Sequence, residues 1–431
     1  VVIDPSTRLA DVNMLDNNKN FSIKYRFDSK IYNPPNWMRY ELFARPDIWW
    51  NAYDGAKVGL HMNGHYMNYL HNVDATLWFN TGMGQNLPEG TVSKDKYDNV
   101  NFRINYRTAT DKFMQGSSFF ASAKALDGLN AYTLGFDRKD KKEKNRLYMH
   151  FKSMYRKDLN DLNYLLLPSE WTANQLNNTL NVGVEHVYSY KRGTGNINLG
   201  MRSSALLSDY DFKTVTLNVV NKNRLGRFNF NTRLVGQYGT GSKWASESSL
   251  FLAGANPEEM MDNKYTRSQG FFDPSMAKMG ATINTFHAGG GLNLRGYSGY
   301  LAPQLLSDGV TTVYTYKGQT GAALNTELEF DGIVRVKRQN WFTRTFKLTT
   351  YLFGDIGVIN YNAVTDNVLK LSDVRADAGV GVALTIKRFG VLQTVNPLTI
   401  RFDMPLFLNK APAADLGFIQ YRYIVGISRA F

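Results

Sequence analysis

Val374-Arg-Ala-Asp-Ala-Gly-Val-Gly-Val-Ala-Leu-Thr-Ile-Lys387 decides the fold. In an extended chain, Val374, Ala376, Ala378, Val380, Val382, Leu384 and Ile386 fall on one side, and Arg375, Asp377, Gly379, Gly381, Thr385 and Lys387 on the other. One face suits hydrocarbon and the other suits water. Strands of soluble sandwiches average about five or six residues. A strand of about fourteen, rising roughly 3.4 Å per residue at a tilt near ~40°, covers more than the ~25 Å apolar band of a membrane barrel.

The same pattern recurs along the chain. Phe228, Phe230, Leu234 and Tyr238 oppose Arg227, Asn229, Asn231, Arg233 and Gln237, and Ile419, Tyr421, Tyr423, Val425, Ile427 and Phe431 oppose Gln420, Arg422 and Ser428. Sixteen such strands are read, near residues 37–50, 55–68, 70–84, 97–110, 116–126, 129–138, 145–156, 179–192, 195–208, 211–224, 226–240, 318–331, 344–358, 372–388, 395–408 and 418–431. Asp127-Gly128 supplies a two-residue hairpin turn between the fifth and sixth. Lipid leaves no backbone group unpaired, so the strands are expected to close into an antiparallel transmembrane β-barrel, and the even count fits bacterial barrels.

Composition agrees with strands rather than helices as the crossing element. The 431 residues include 26 Phe, 25 Tyr, 7 Trp and 36 Gly, mean hydropathy is −0.35, and no apolar run approaches the roughly 18 residues of a spanning helix. Trp49, Trp50, Trp78 and Tyr423 are expected in interfacial girdles. The alternative, a soluble all-β binding protein, would turn the same apolar faces into a core. The net charge of +13 admits nucleic acid or an anionic lipid surface. Its densest run, Asp137–Lys144, interleaves bases with acids, which argues against nucleic acid. Expected partners are outer-membrane lipid and lipopolysaccharide.

Residues 1–36, with Asp4-Pro5 and Asn33-Pro-Pro35, read as a linker from an upstream domain, and 37–431 as the barrel. With the N-terminus periplasmic, the long connections near 157–178 and 241–317 face outward, while 137–145 becomes an unusually long inner turn.

The segment His287–Tyr300 breaks the run of strands with five glycines and a single arginine, Arg295. Its glycine spacing is that of a phosphate loop, but Tyr297 stands where the lysine belongs. His61 and His65 share one strand face about 13 Å apart, too far for two ligands of one zinc. No catalytic constellation, cofactor site or metal site is expected, and the chain itself is read as non-enzymatic.

Leu294-Arg295-Gly296-Tyr297 resembles the Val-Arg-Gly-Phe/Tyr motif in the sixth external loop of the BamA-type superfamily, sixteen-stranded outer-membrane barrels that insert outer-membrane proteins or secrete partner proteins. Phe353-Gly-Asp355-Ile-Gly357 is similar to the family's Phe-x-Asp-x-Gly wall motif, and Asn325–Phe330, Leu398–Phe402 and the terminal Phe431 are similar to its late strands. Leu294 replaces the usual valine, and Arg429 a usually apolar residue. The resemblance implies a loop between strands 11 and 12 folded into the lumen, with Arg295 paired to Asp355 and Tyr297 packed beside the guanidinium. It also implies location in the outer membrane of a Gram-negative bacterium, with client or passenger proteins and envelope assembly subunits as partners. The role implied is protein insertion, translocation or display, with a passive pore or a pure membrane anchor as alternatives. Pro46 and Gly426 would weaken the seam where the first strand pairs with the last, as a lateral gate requires. Ile3–Leu15 resembles the tail of zinc aminopeptidase-like proteins of Bacteroidetes type, which would place a peptidase-like domain upstream.

Overall fold

A computed structural model describes residues 13–17, 22–28, 35–87, 98–159, 165, 167–262, 264, 284–330, 340–362, 369–390, 392, 395–410 and 417–431. Most of the segment that resembles the aminopeptidase tail lies outside the described residues. Strands β1 (Ile23–Phe27), β2 (Tyr40–Asn51), β3 (Gly55–Tyr66), β4 (Leu70–Asn80), β5 (Val100–Ala109), β6 (Ser117–Leu126), β7 (Leu129–Lys139), β8 (Asn145–Arg156), β9 (Leu176–Tyr190), β10 (Gly193–Ser204), β11 (Asp211–Leu225) and β12 (Phe228–Lys243) precede a long loop. The loop holds β13 (Leu250–Phe251), the one-turn helix α1 (Pro257–Met260), β14 (Asn284–Ala288), β15 (Pro303–Leu305), β16 (Thr312–Tyr314) and β17 (Lys317–Gly318). After it come β18 (Gly321–Glu329), helix α2 (Trp341–Thr345), β19 (Phe346–Ile359), β20 (Arg375–Ile386), β21 (Leu398–Leu408) and β22 (Tyr423–Ile427).

Strands β2–β12 and β18–β22 form one antiparallel meander, each paired with its neighbour in chain order. These correspond to the sixteen strands of the alternation. The meander curls around the loop, because that one loop touches strands along its whole width. Lys264 lies 3.8 Å from Asp47 on β2, Glu258 bonds Lys152 on β8 and Arg202 on β10, and Gly291 accepts from Arg233 on β12. Arg375 on β20 donates to Ala302, and Arg401 on β21 to His287. Contacts from β2 to β21 thus converge on the one loop.

Side chains are distributed inside out. The five largest fully buried ones are all arginine: Arg156, Arg295, Arg375, Arg401 and Arg422. Ile48 is 70% exposed, Phe79 58%, Leu134 54% and Met201 60%. Soluble proteins bury leucine and expose arginine. Here the apolar face is left open, as a face that meets hydrocarbon must be, and the polar face is the one that the loop covers. Among the described residues no helix is long and apolar enough to cross a membrane.

The two ends of the wall differ. The turn end carries the tight connections 140–144, 191–192 and 226–227 together with the longer 330–345 and 387–397; the loop end carries 157–175, 244–320, 360–374 and 409–422. Both connections expected outward share the loop end. At that end too, Asp127-Gly128 is a two-residue hairpin with φ of 49° and 80°, the positive pair that a type I′ turn needs.

Several expectations are corrected. The charged stretch 137–145 is no long inner turn: pairing runs out to Lys139↔Arg146, and the carboxylate of Asp140 accepts from the backbone of Lys144 and Asn145, closing the turn in five residues. Within the stretch read as linker, Ile23–Phe27 forms β1, parallel to β2. Trp78 is no girdle residue; it is buried on the lumen side and donates to Asp47 at 3.1 Å. Trp49 also faces inward, with Lys264 4.6 Å from its ring centroid. Tyr423 stacks on the exposed Phe402, 5.4 Å between centroids.

Candidate functional site

The loop is tethered before it reaches Arg295. Asn256 caps α1, its side chain accepting from Glu259 N, while Glu259 closes the reciprocal capping box. This presents Glu258 to the wall, where it bonds Lys152 (2.5 Å), Arg202 (2.8 Å) and Ser248 (2.7 Å). Burial alone would raise the Glu258 carboxyl, but Arg202 and Lys152 outweigh it and hold the group well below the usual carboxylate range. Asp262 pairs with Lys124 on β6. The chain next runs as β14 along β22, then turns inward at Gly289–Gly291. Gly290 and Gly291 have φ of 155° and 50°, and a Cβ on Gly291 would lie 2.5 Å from the carbonyls of Phe251 and Gly254. Only glycine passes there.

Arg295 then meets two wall strands. Its Nε donates to Asp355 Oδ2 at 2.8 Å, Nη2 to Asp355 Oδ1 at 3.0 Å, and Nη1 to Glu327 Oε1 at 2.7 Å. Its backbone N–H adds a bond to Asp355 at 3.2 Å, and Asn325 donates to the same carboxylate at 3.1 Å. The fork on Asp355 is the bidentate geometry that guanidinium and carboxylate share. Burial disfavours the charged guanidinium, but the carboxylates of Asp355 and Glu327 outweigh it and raise its pKa well above the usual arginine value. The guanidinium carbon lies 4.0 Å from the Phe353 ring centroid. Leu294 is buried with Val235, Leu250, Leu252, Ala323 and Ile359. Gly357 leaves room for it: a Cβ there would approach Leu294 to 3.0 Å and Ala323 to 2.9 Å. Likewise a Cβ on Gly296 would lie 2.5 Å from Asp377 Cβ. Loop motif and wall motif thus meet residue against residue.

Tyr297 departs from the expected position. It lies under Arg375, 5.3 Å from guanidinium to centroid, and its hydroxyl donates to Asn409 at 2.9 Å. Arg295–Tyr297 is a 3₁₀ turn, and at three residues per turn side chains two apart diverge. Phe353 takes the place beside Arg295.

Sequence reasoning missed the arginines that hold the loop backbone. Arg422 donates to the carbonyls of Gly296 and Ser298 and lies 4.3 Å from the Tyr300 centroid. Arg375 donates to Ala302 (3.0 Å) and Pro303 (3.1 Å). Arg401 bonds His287 at 2.6 Å and pairs with Asp403. Lumen-face parity marks all three, but nothing in the sequence names loop carbonyls as the targets of Arg375 and Arg422, or His287 as that of Arg401. Glu327, whose role beside Arg295 was also missed, carried the signal of sharing a face with Asn325.

The expected first-to-last seam is not formed among the described residues. The free edge of β2 is taken by β1 from Tyr40 to Ala44, and β22 pairs on its outer side with β14, Asn284↔Tyr423 through Ala288↔Ile427. Pro46 lies two residues beyond the last β1–β2 pair and faces Leu60 of β3. Gly426 has a packing reason instead: a Cβ would meet the Arg401 guanidinium at 2.5 Å. Phe431 lies beyond the last strand, because Ser428 adopts φ of 73° and Arg429 turns inward to Glu327 and Glu329.

Two recesses open on the lumen side, one along β8–β12 and one reaching from β9 to β20. One of about 410 Å³ lies against α1, lined by Tyr148, His150, Asn198, Arg202, Arg233 and Glu258 among others. The other, of about 590 Å³, opens at the turn end.

No family model matches the sequence, and no curated protein matches it. Among solved structures it is similar to BamA from Haemophilus ducreyi lacking POTRA domains 1–3, at 14% identity and a TM-score of 0.37, covering 89% of this chain and 68% of that one. It is also similar to CdiB from Escherichia coli, at 10% identity and a TM-score of 0.45, covering 89% and 61%, and to a BenF-like porin from Pseudomonas fluorescens, at 9% identity and a TM-score of 0.40, covering 86% and 82%. The chain thus spans about two thirds or less of BamA and CdiB.

Proposed function

We propose that this chain is an outer-membrane barrel of the BamA-type superfamily that acts in protein insertion, translocation or display as the membrane part of a larger assembly. The observation that carries the reading is the buried Arg295–Asp355–Glu327 set: a charged loop tip fixed to the inner wall, in an interior where a simple conduit would hold only water. Charges are buried at high desolvation cost, and such sets are best attested as devices that fix register or switch state. Here they fix where the loop stands and, through Arg422 and Arg401, where the last strands stand. The edges of β2 and β22, met by short parallel strands rather than by each other, are the place where an incoming strand would add.

The test is reconstitution. Proteoliposomes holding the barrel should speed folding of an added outer-membrane protein severalfold over empty liposomes, and Arg295→Ala should remove the gain. No acceleration by the native barrel would overturn the reading. A passive pore is favoured by the two recesses on the lumen side; it predicts steady single-channel conductance that Arg295→Ala leaves unchanged.

A further inference from the structure

The recess at the turn end is charged with one sign. Arg192, Lys222, Arg224, Lys347 and Arg429 line it, against a single acidic side chain, Glu329. Register says which way these residues point. Lys222 pairs with Asn231 and with Thr194, Arg224 with Asn229, and Asn229 with Glu329, which in turn pairs with Tyr351. Asn231, Glu329 and Tyr351 are buried on the lumen face, so Lys222 and Arg224 share that face and not the lipid one.

The acid in the recess is already engaged. Glu329 accepts from Asn231 at 2.9 Å, Asn229 at 3.3 Å and Arg429 at 2.6 Å. Arg192, Lys222 and Arg224 are exposed within the mouth and make no ion pair among the described residues. Other lumen cations are engaged: Lys152 and Arg202 with Glu258, Arg146 and Arg107 with Asp137, Lys57 with Asp54 and Asp127, and Arg375 and Arg422 with loop carbonyls. A concave, one-signed site with low-dielectric walls concentrates counter-charge.

We propose that this mouth is a docking site for an acidic polypeptide segment, whose carboxylates pair with Arg192, Lys222 and Arg224 as it enters the lumen from the turn end. The reading rests on the barrel handling polypeptide, and it names the chemistry recognised. A lipid headgroup fits less well, because the cations stand on the lumen face. Their placement, Arg192 in the turn before β10 and Lys222 and Arg224 two apart on β11, suits carboxylates distributed along an extended chain.

The experiment uses the full chain in detergent and a short fluorescein-labelled peptide of alternating Asp and Ser, with an Asn–Ser peptide as reference. Fluorescence anisotropy should show saturable, salt-sensitive binding of the acidic peptide only. Arg192→Gln/Lys222→Gln/Arg224→Gln should weaken it by about tenfold or more, because three attractive charges leave the concave mouth. Arg227→Gln, in the same turn region but outside the recess, should leave it unchanged. Heat-modifiable mobility on gels reports that each variant is folded. Equal binding to native and triple variant overturns the proposal, as does displacement of the peptide by short-chain phosphatidylglycerol in a manner that the triple variant abolishes, which would make the recess a lipid site. Intact peptide binding without acceleration of folding in proteoliposomes would refute the insertion role while leaving the docking site standing.

Discussion

Arg295 is held by two carboxylates, and the pair that sequence resemblance implies is one arm of the arrangement. Removing Asp355 leaves a fully buried guanidinium facing Glu327 alone. Breaking such a buried set typically costs about 3–5 kcal/mol. Asp355→Ala should therefore lower the denaturant midpoint of the folded barrel and expose residues 280–300 to protease; an unchanged cleavage pattern in assembled mutant barrels would count against the tether. Glu327→Gln should cost less, since the fork on Asp355 survives. Gly296→Ala tests the fit on the other side: its Cβ would fall 2.5 Å from Asp377 Cβ, and overpacking of this kind costs about 1–3 kcal/mol. At this scale the sequence was informative where two motifs had to meet, as with Leu294 against Gly357 and Arg295 against Asp355. It was silent where a side chain seeks backbone, because a carbonyl carries no residue type to recognise. Arg375 and Arg422 are cases of that silence.

Among elements, α1 is the loop's second anchor, and its hold depends on pH in two opposed ways. Glu258 is held below its unfolded pKa by Arg202 and Lys152. Its contribution is complete above about pH 4.5 and lost as pH falls through the folded value. Glu247, by contrast, is pushed up to about 7 by burial. The folded state keeps that proton longer, so its contribution is present below the unfolded pKa and lost as pH rises toward 7. Hydrogen exchange across residues 246–262 should be slowest near pH 5 once corrected for intrinsic rates, with faster opening on both sides. Glu258→Gln should remove the acid limb and Glu247→Gln the other; a flat profile in the native barrel would refute the coupling. The sixteen wall strands were legible because alternation over ten or more residues averages out local exceptions. Strands β1 and β14 were not, since five residues beside turn-forming or glycine-rich sequence carry too little periodicity. The early end of β22 at Ser428 is a backbone choice that alternation does not register.

For the molecule as a whole, the inside-out distribution sets which substitutions are tolerated. Leu134 stands on the outer face of β7, 54% exposed, while Asn198 stands on the lumen face of β10. Leu134→Arg should cost about 2–4 kcal/mol if that position meets the middle of the bilayer, whereas Asn198→Arg should alter conductance with little effect on stability. Folding titrations in lipid vesicles and planar-bilayer recordings measure the two. Equal tolerance at both positions would argue for a soluble protein after all.

The pairing of β14 with β22 bears on the order of assembly. These segments are far apart in the chain, yet each completes the other, and between them lie Arg295 and the wall strands it binds. The last strand has β21 as its local neighbour and gains its second, β14, only when the loop segment lies beside it. Docking of the loop and covering of the outer edge of β22 are therefore linked, and long-range contacts of this kind form slowly. A chain whose loop has not docked keeps the outer edge of its final strand unpaired, an open edge of the kind that templates further strand pairing.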